Sequence, residues 1–279
     1  MHRMKQARIA ILIGAIICCG IMFFTLRSRS ANEDALPVGR AELMLYCGAG
    51  IRPAADALIE AFEARHRIKI NTTYAGGGRL LGEIATLQTG DLFMPGAEWY
   101  VDRAIEKGLA IRETKRIVAF FVPVIFVRKG NPHNIASLQD LTRKGLRLGF
   151  GDERSCAVGK KTLRILEKND IPYSDVKANV LYKSGTVNEL GLAIQLENVD
   201  AVILWDANAR HFAEHGQVVA IPKEQNVLSP IPAVVLKSSR HPAAAGKFID
   251  FITSDEGRGI FSERGYSVSA PSDKQHASD

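Results

Sequence analysis

Residues 43–53 run Leu-Met-Leu-Tyr-Cys-Gly-Ala-Gly-Ile-Arg-Pro, and an amphipathic stretch ending in Glu-Ala-Phe-Glu follows. The order is a buried strand, a glycine turn and a helix. Such a turn leaves the first N–H groups of the helix without partners and aims their partial positive charge beyond the strand, where it favours an anion. The pattern then repeats: Ile68–Tyr74 reads as a strand, Ala75-Gly76-Gly77-Gly78 as the turn and Arg79–Gln88 as a helix. Taken singly, Gly50 and Gly77 would be ordinary turn glycines. In matched positions they mark one anion-seeking site. Arg52 and Arg79 each fall near the start of the helix after its turn, where a cation opposes the helix dipole unless an anion or carboxylate is near. They are candidate additional ligands.

Other chemistries fit less well. Gly48-Ala49-Gly50 supplies two glycines of a dinucleotide fingerprint, but Pro53 holds the third position and Thr72-Thr73-Tyr74 stands where an acidic residue is needed. Gly159-Lys160-Lys161-Thr162 lacks the preceding glycine of a phosphate loop and has Lys161 in place of the hydroxyl residue. The histidines at 2, 66, 133, 211, 215, 241 and 276 neighbour no serine or cysteine signature. His211 and His215 share a helical spacing without further ligands, which reads as a solvated face rather than a metal site. Trp205 ends a Val-Ile-Leu-Trp strand beside Asp206, a position suited either to the core or to a pocket wall.

The elements that must position these residues alternate almost without pause. After the first two strand–helix units come a short strand at 91–94, a helix through Val101 to Lys107 and the apolar stretch Val118–Val127. Pro123 interrupts that stretch, as a crossover between two lobes would require. Strands follow at 146–150, 180–182, 201–205, 218–221 and 231–236. Helices follow at 137–141, 158–168, 187–196, 242–253 and 255–261. The alternation predicts an α/β fold with mostly parallel sheets flanked by helices.

The chain has 279 residues and a formal charge of +6. Five of its 36 Lys and Arg lie in residues 1–30, which hold no acidic residue, so the remainder has 31 basic residues against 30 acidic ones. A near-neutral body carries no electrostatic footprint for nucleic acid. Ile9–Leu26 is uncharged and flanked by basic residues, long for a signal-peptide core and just long enough to span a bilayer. Residues 1–30 therefore read as an uncleaved anchor, with a leader cleaved after Ser30 as the alternative. Residues 31–40 read as a linker. Beyond the leader only Cys47 and Cys156 remain, compatible with one bridge in an oxidising compartment. Free thiols are the expectation, with that bridge as the alternative.

Taken in order, Leu43–Pro53, Tyr74–Ile84, Gly90–Ala97, Gly149–Gly159, Thr186–Ala193, Val199–Ala207 and Phe248–Tyr266 resemble the periplasmic molybdate-binding proteins of ABC transporters, within the bacterial extracellular solute-binding superfamily. The resemblance implies a two-lobed periplasmic-binding-protein fold of type II kind. Residues 41–122 and 208–270 would form lobe 1, residues 123–207 lobe 2, and residues 271–279 a flexible tail. It implies closure over a tetrahedral oxyanion held by neutral donors, with no catalytic residue, resident metal or cofactor. The ligands then fall on Gly50 and Gly77 in the first lobe, on the Val158 and Val187 N–H groups in the second, and on Trp205. The family usually has hydroxyl residues at the first two positions and tyrosine at the last. Glycine keeps its N–H and tryptophan an indole N–H, so a donor-only cage survives with up to three fewer hydroxyls. The implied partners are molybdate or tungstate, an ABC permease and its ATPase, with the protein a monomer tethered outside the cytoplasm. Sulfate, phosphate or a carboxylate is the alternative cargo, and an exported hydrolase using Cys47 the distant one.

Overall fold

The computed structural model describes residues 42–269. The anchor, the linker and the C-terminal tail expected from the sequence lie outside them. Among the described residues no helix is long and apolar enough to cross a membrane.

Strands β1 (Glu42–Gly48), β2 (Lys69–Ala75), β3 (Leu92–Met94) and β4 (Arg116–Phe121) alternate with helices α1 (Arg52–His66), α2 (Gly77–Leu87) and α3 (Glu98–Glu106). After β5 (Pro123–Arg128) and β6 (Leu148–Gly151) come α4 (Ala157–Lys168), α5 (Tyr173–Lys177), β7 (Val180–Ser184), α6 (Val187–Gln195), β8 (Ala201–Trp205) and α7 (Asp206–Ala209). Strands β9 (Gly216–Ala220) and β10 (Ser229–Val235) precede α8 (Pro242–Thr253) and α9 (Asp255–Glu263).

Two five-stranded sheets result, ordered β2-β1-β3-β10-β4 and β7-β6-β8-β5-β9. In each, four strands run the same way and one, β10 or β5, runs against its neighbours. The sheets are therefore mixed, mostly parallel in strand direction with one reversed strand in each. Pro123 acts as its position predicted. The apolar stretch breaks at Val122, so that β4 edges the first sheet and β5 enters the second.

One boundary moves. Strand β9, expected with the first lobe, pairs with β5 in the second sheet, and the chain returns to the first sheet only at β10. Pairing partners distant in sequence leave no local trace. The two crossings are fastened together where Asn226 Nδ2 donates to the Pro123 carbonyl at 2.8 Å. Helix α4 grips the second crossing: Lys161 Nζ, Lys168 Nζ and Asn169 Nδ2 donate to the carbonyls of Leu228, Asn226 and Gln225 at 2.7–2.9 Å.

Helix α1 forms because Ala54, Ala55, Leu58 and Phe62 share one buried face. It stops where Arg67 takes a left-handed conformation, φ 55°, and returns its N–H to the Glu63 carbonyl. Phe62 then meets Phe248 edge-on at 5.1 Å, docking α8 beneath the first sheet.

Candidate functional site

The parallel strands of both sheets end at one place, and the segments beyond their carboxyl ends enclose a pocket. Its lining comprises Gly48–Ile51 after β1, Ala75–Gly77 after β2, Gly96 after β3, Phe121 at the end of β4, Cys156–Val158 after β6, Gly185–Val187 after β7, and Trp205 at the end of β8. Free volume inside is about 30 Å³, where one water takes roughly 10–15 Å³ on the same scale. The space suits a compact body of a few atoms.

Four helical N-termini converge on it: the short turn Ala49–Ile51 leading into α1, and the starts of α2, α4 and α6. At the first three, no side chain caps the leading N–H groups. At α6, Thr186 accepts only from the Glu189 N–H. Each terminus contributes a fraction of positive charge, about half an elementary charge in a full-length helix. The described lining residues include no charged side chain. The attraction for an anion therefore comes from backbone dipoles.

Two residues absent from the sequence reading orient the first turn. The Gly50 carbonyl accepts from Tyr266 Oη at 2.7 Å and from Asn208 Nδ2 at 3.2 Å. Because the peptide is planar and trans, a carbonyl held from one side sends the next N–H, that of Ile51, the opposite way. Tyr266 lies 216 residues from Gly50 in sequence, so no local pattern could have signalled it. Gly96 and Gly185, also missed, follow strands β3 and β7 as Gly50 and Gly77 follow β1 and β2; the same strand-then-glycine signal would have found them.

Gly50, Gly77, Val158, Val187 and Trp205 all line the pocket. Trp205 is 2% exposed and stacks on Phe121, with centroids 4.6 Å apart and planes 11° apart. Its Cδ1, next to the indole N–H, faces the space where a Gly50 side chain would stand. What bars a side chain at position 50 is Val187, whose Cγ1 would stand 2.8 Å from the added Cβ, with Trp205 in van der Waals contact beside it.

Arg52 and Arg79 are not brought to the pocket. Arg52 turns outward and lies over the Tyr74 ring at 4.2 Å, and Arg79 is exposed on α2. The first turn of a helix points its backbone N–H groups along the axis but its side chains away from it, which separates these arginines from the site.

Cys47 and Cys156 are both free and buried. Burial pushes the Cys156 thiol up to about 11, so it places no negative charge on the pocket wall. Burial, with Asp56 adding to it, also raises the Cys47 thiol well above its ordinary value. A nucleophilic cysteine needs the opposite shift. No group of His, Cys, Asp and Glu among the described residues is placed to hold a metal.

Two α/β lobes whose strand ends close on an uncharged, donor-lined pocket define a solute-binding protein of the two-lobed periplasmic kind. The chain belongs to the bacterial extracellular solute-binding protein family, whose pattern matches residues 43–267. These are binding proteins rather than enzymes, and they carry a transported ligand instead of a cofactor. A binding protein of Haemophilus influenzae is 30% identical over 232 residues, 82% of this chain and 92% of that one. The molybdate-binding protein ModA of Mycobacterium tuberculosis is 25% identical over 259 residues, 92% of this chain and 94% of that one. Among solved structures, the sulfate-binding protein SubI of Mycobacterium tuberculosis matches with a TM-score of 0.74 at 22% identity, covering 83% of this chain and 88% of that one.

Proposed function

We propose that this protein captures molybdate or tungstate outside the cytoplasm and delivers it to an ABC permease driven by a separate ATPase. One observation carries the reading: the pocket has about 30 Å³ of free volume, four helical N-termini and no charged side chain among its described lining residues. That space suits a small tetrahedral oxyanion and leaves none for a sugar or an acyl chain. The donors are Gly50 and Gly77 from the first lobe, the Val158 and Val187 N–H groups from the second, and the Trp205 indole. Residues up to Val122 together with those from β10 onward act as one lobe, and β5 through β9 as the other. The N-terminal segment tethers the protein to the membrane, and it works as a monomer.

The likeness to ModA along nearly the full length of both chains favours molybdate. Sulfate, the ligand named for a protein of the same fold, is the second reading. A thermal-shift and calorimetry panel of molybdate, tungstate, sulfate, phosphate and small carboxylates tests both. Molybdate and tungstate should raise the melting temperature. A response to sulfate alone would replace the cargo, and silence toward every anion would remove the mechanism.

A further inference from the structure

The three glycines that follow Ala75 face different neighbours. A Cβ on Gly77 would stand 2.7 Å from ring carbons of Tyr100, on α3 of the same lobe. Gly76 and Gly78 face the other lobe. A Cβ on Gly78 would stand 2.6 Å from the Arg154 carbonyl oxygen and 2.8 Å from Ser155 Cα. On Gly76 it would stand 2.7 Å from the Ser155 carbonyl oxygen and would also collide with that of Gly185. Gaps under 3.0 Å are essentially never seen for real Cβ atoms.

The opposing atoms are backbone, so no rotamer change relieves the collision. Their loop is also braced: Asp152 Oδ1 accepts from the Arg154 N–H at 2.9 Å and from the Ser155 N–H and hydroxyl at 3.0 Å. Across the seam, the Gly78 N–H donates to the Ser155 carbonyl at 3.1 Å. Beside it, Lys160 of α4 places its ammonium 3.9 Å from the centre of the Trp99 ring on α3.

We infer that Gly76 and Gly78 are positioning residues for closure: they let the backbones of the two lobes meet and so seal the pocket, without themselves being required as ligands. This rests on the oxyanion reading above. Nothing within the first lobe demands glycine at either place. Gly76 has φ −65° and ψ 145°, extended backbone open to any residue. Gly78 lies in the first turn of α2, where alanine is the better helix former. An alanine at either site would therefore be tolerated with the lobes apart and rejected with them together. Because only closed protein holds the anion fully, apparent affinity falls with the fraction able to close.

The test compares Gly78→Ala with Gly82→Ala in the full-length protein. Gly82 lies in the same helix, and a Cβ there meets nothing within 4 Å. Both variants should keep or raise the melting temperature of the ligand-free protein. Calorimetry with molybdate should show Gly82→Ala binding like wild type and Gly78→Ala roughly 10- to 100-fold more weakly, the range expected for an overpacked contact. Gly76→Ala should behave like Gly78→Ala. Wild-type affinity in Gly78→Ala would overturn the inference. So would a steep loss of ligand-free stability, which would place the need for glycine inside the lobe. A wild-type protein silent toward every oxyanion would instead sink the reading on which the seam depends.

Discussion

Replacing Trp205 with phenylalanine separates a binding role from a packing role. The indole lines the pocket, is 2% exposed and stacks on Phe121. Phenylalanine can retain much of the stack but loses the N–H and part of the ring, so the ligand-free protein should lose about 1–2 kcal/mol. The N–H would pair with a charged ligand, an interaction worth about 1.5–3 kcal/mol, which corresponds to a dissociation constant roughly 10- to 150-fold higher. Wild-type protein with ligand at a hundred times its dissociation constant gains about 2.7 kcal/mol, a shift of roughly 5–10 °C for a chain of this size. With affinity a hundredfold weaker, the same ligand concentration should give a shift of only about 1 °C. Calorimetry and a melting curve with and without molybdate measure both quantities in one preparation. Fluorescence adds a check. Trp99 is 43% exposed and faces Lys160 across the seam, so it too should respond to closure. The signal of Trp205 is therefore read in Trp99→Phe. Unchanged affinity in Trp205→Phe, whatever happens to stability, would refute the indole as a ligand.

Asp200 is 3% exposed and accepts from Arg147 at 2.8 Å and from Arg128 at 3.0 Å, with His133 at 3.4 Å. Burial opposes its charge, but the Arg147 side chain and N–H overcome that and hold the carboxyl below its ordinary value. Its contribution to stability is therefore present above the unfolded value near 4 and lost as pH falls through the folded one. Asp200→Asn should cost roughly 2–3 kcal/mol at pH 7 and flatten the loss of stability as pH falls below about 4, measured by urea titration. The thiols give a second check. In unreduced protein the peptides bearing Cys47 and Cys156 should resist alkylation while folded and each take one label after unfolding; mass spectrometry showing neither labelled after unfolding would establish a bridge.

Much of this fold was legible because its signals are local. Ala201–Trp205 and Pro242–Thr253 were bounded correctly from burial pattern and a helix-starting proline alone, and Pro123 marked the crossing between sheets. Strand β9 was placed in the wrong half because its partner, β5, lies far back in the chain and leaves no mark on Gly216–Ala220. The site divides in the same way. Gly50 and Gly77 follow strands in a pattern that physics alone reads as anion-seeking. Val158 and Val187 carry no such signal, since any residue at a helix start offers the same N–H; only the family resemblance singled them out. Arg52 and Arg79 misled because sequence adjacency to a helix start says nothing about where a long side chain goes.

The uncharged lining fits what a transport protein must do. A lysine or arginine in so small a pocket would bind an anion tightly but would have to be left desolvated and unpaired each time the cargo departed. Backbone N–H groups at helix starts avoid that problem. Their charge is partial, and an opening cleft would let water replace the anion at each of them. Discrimination must then come from geometry, from how many donors meet the oxygens of one anion when the lobes are together. That requirement accounts for so much glycine. At Gly50 it leaves space for Val187, at Gly77 for Tyr100, and at Gly76 and Gly78 it lets one backbone approach another. A pocket that selects by fit needs its walls close, and side chains at these turns would hold them apart.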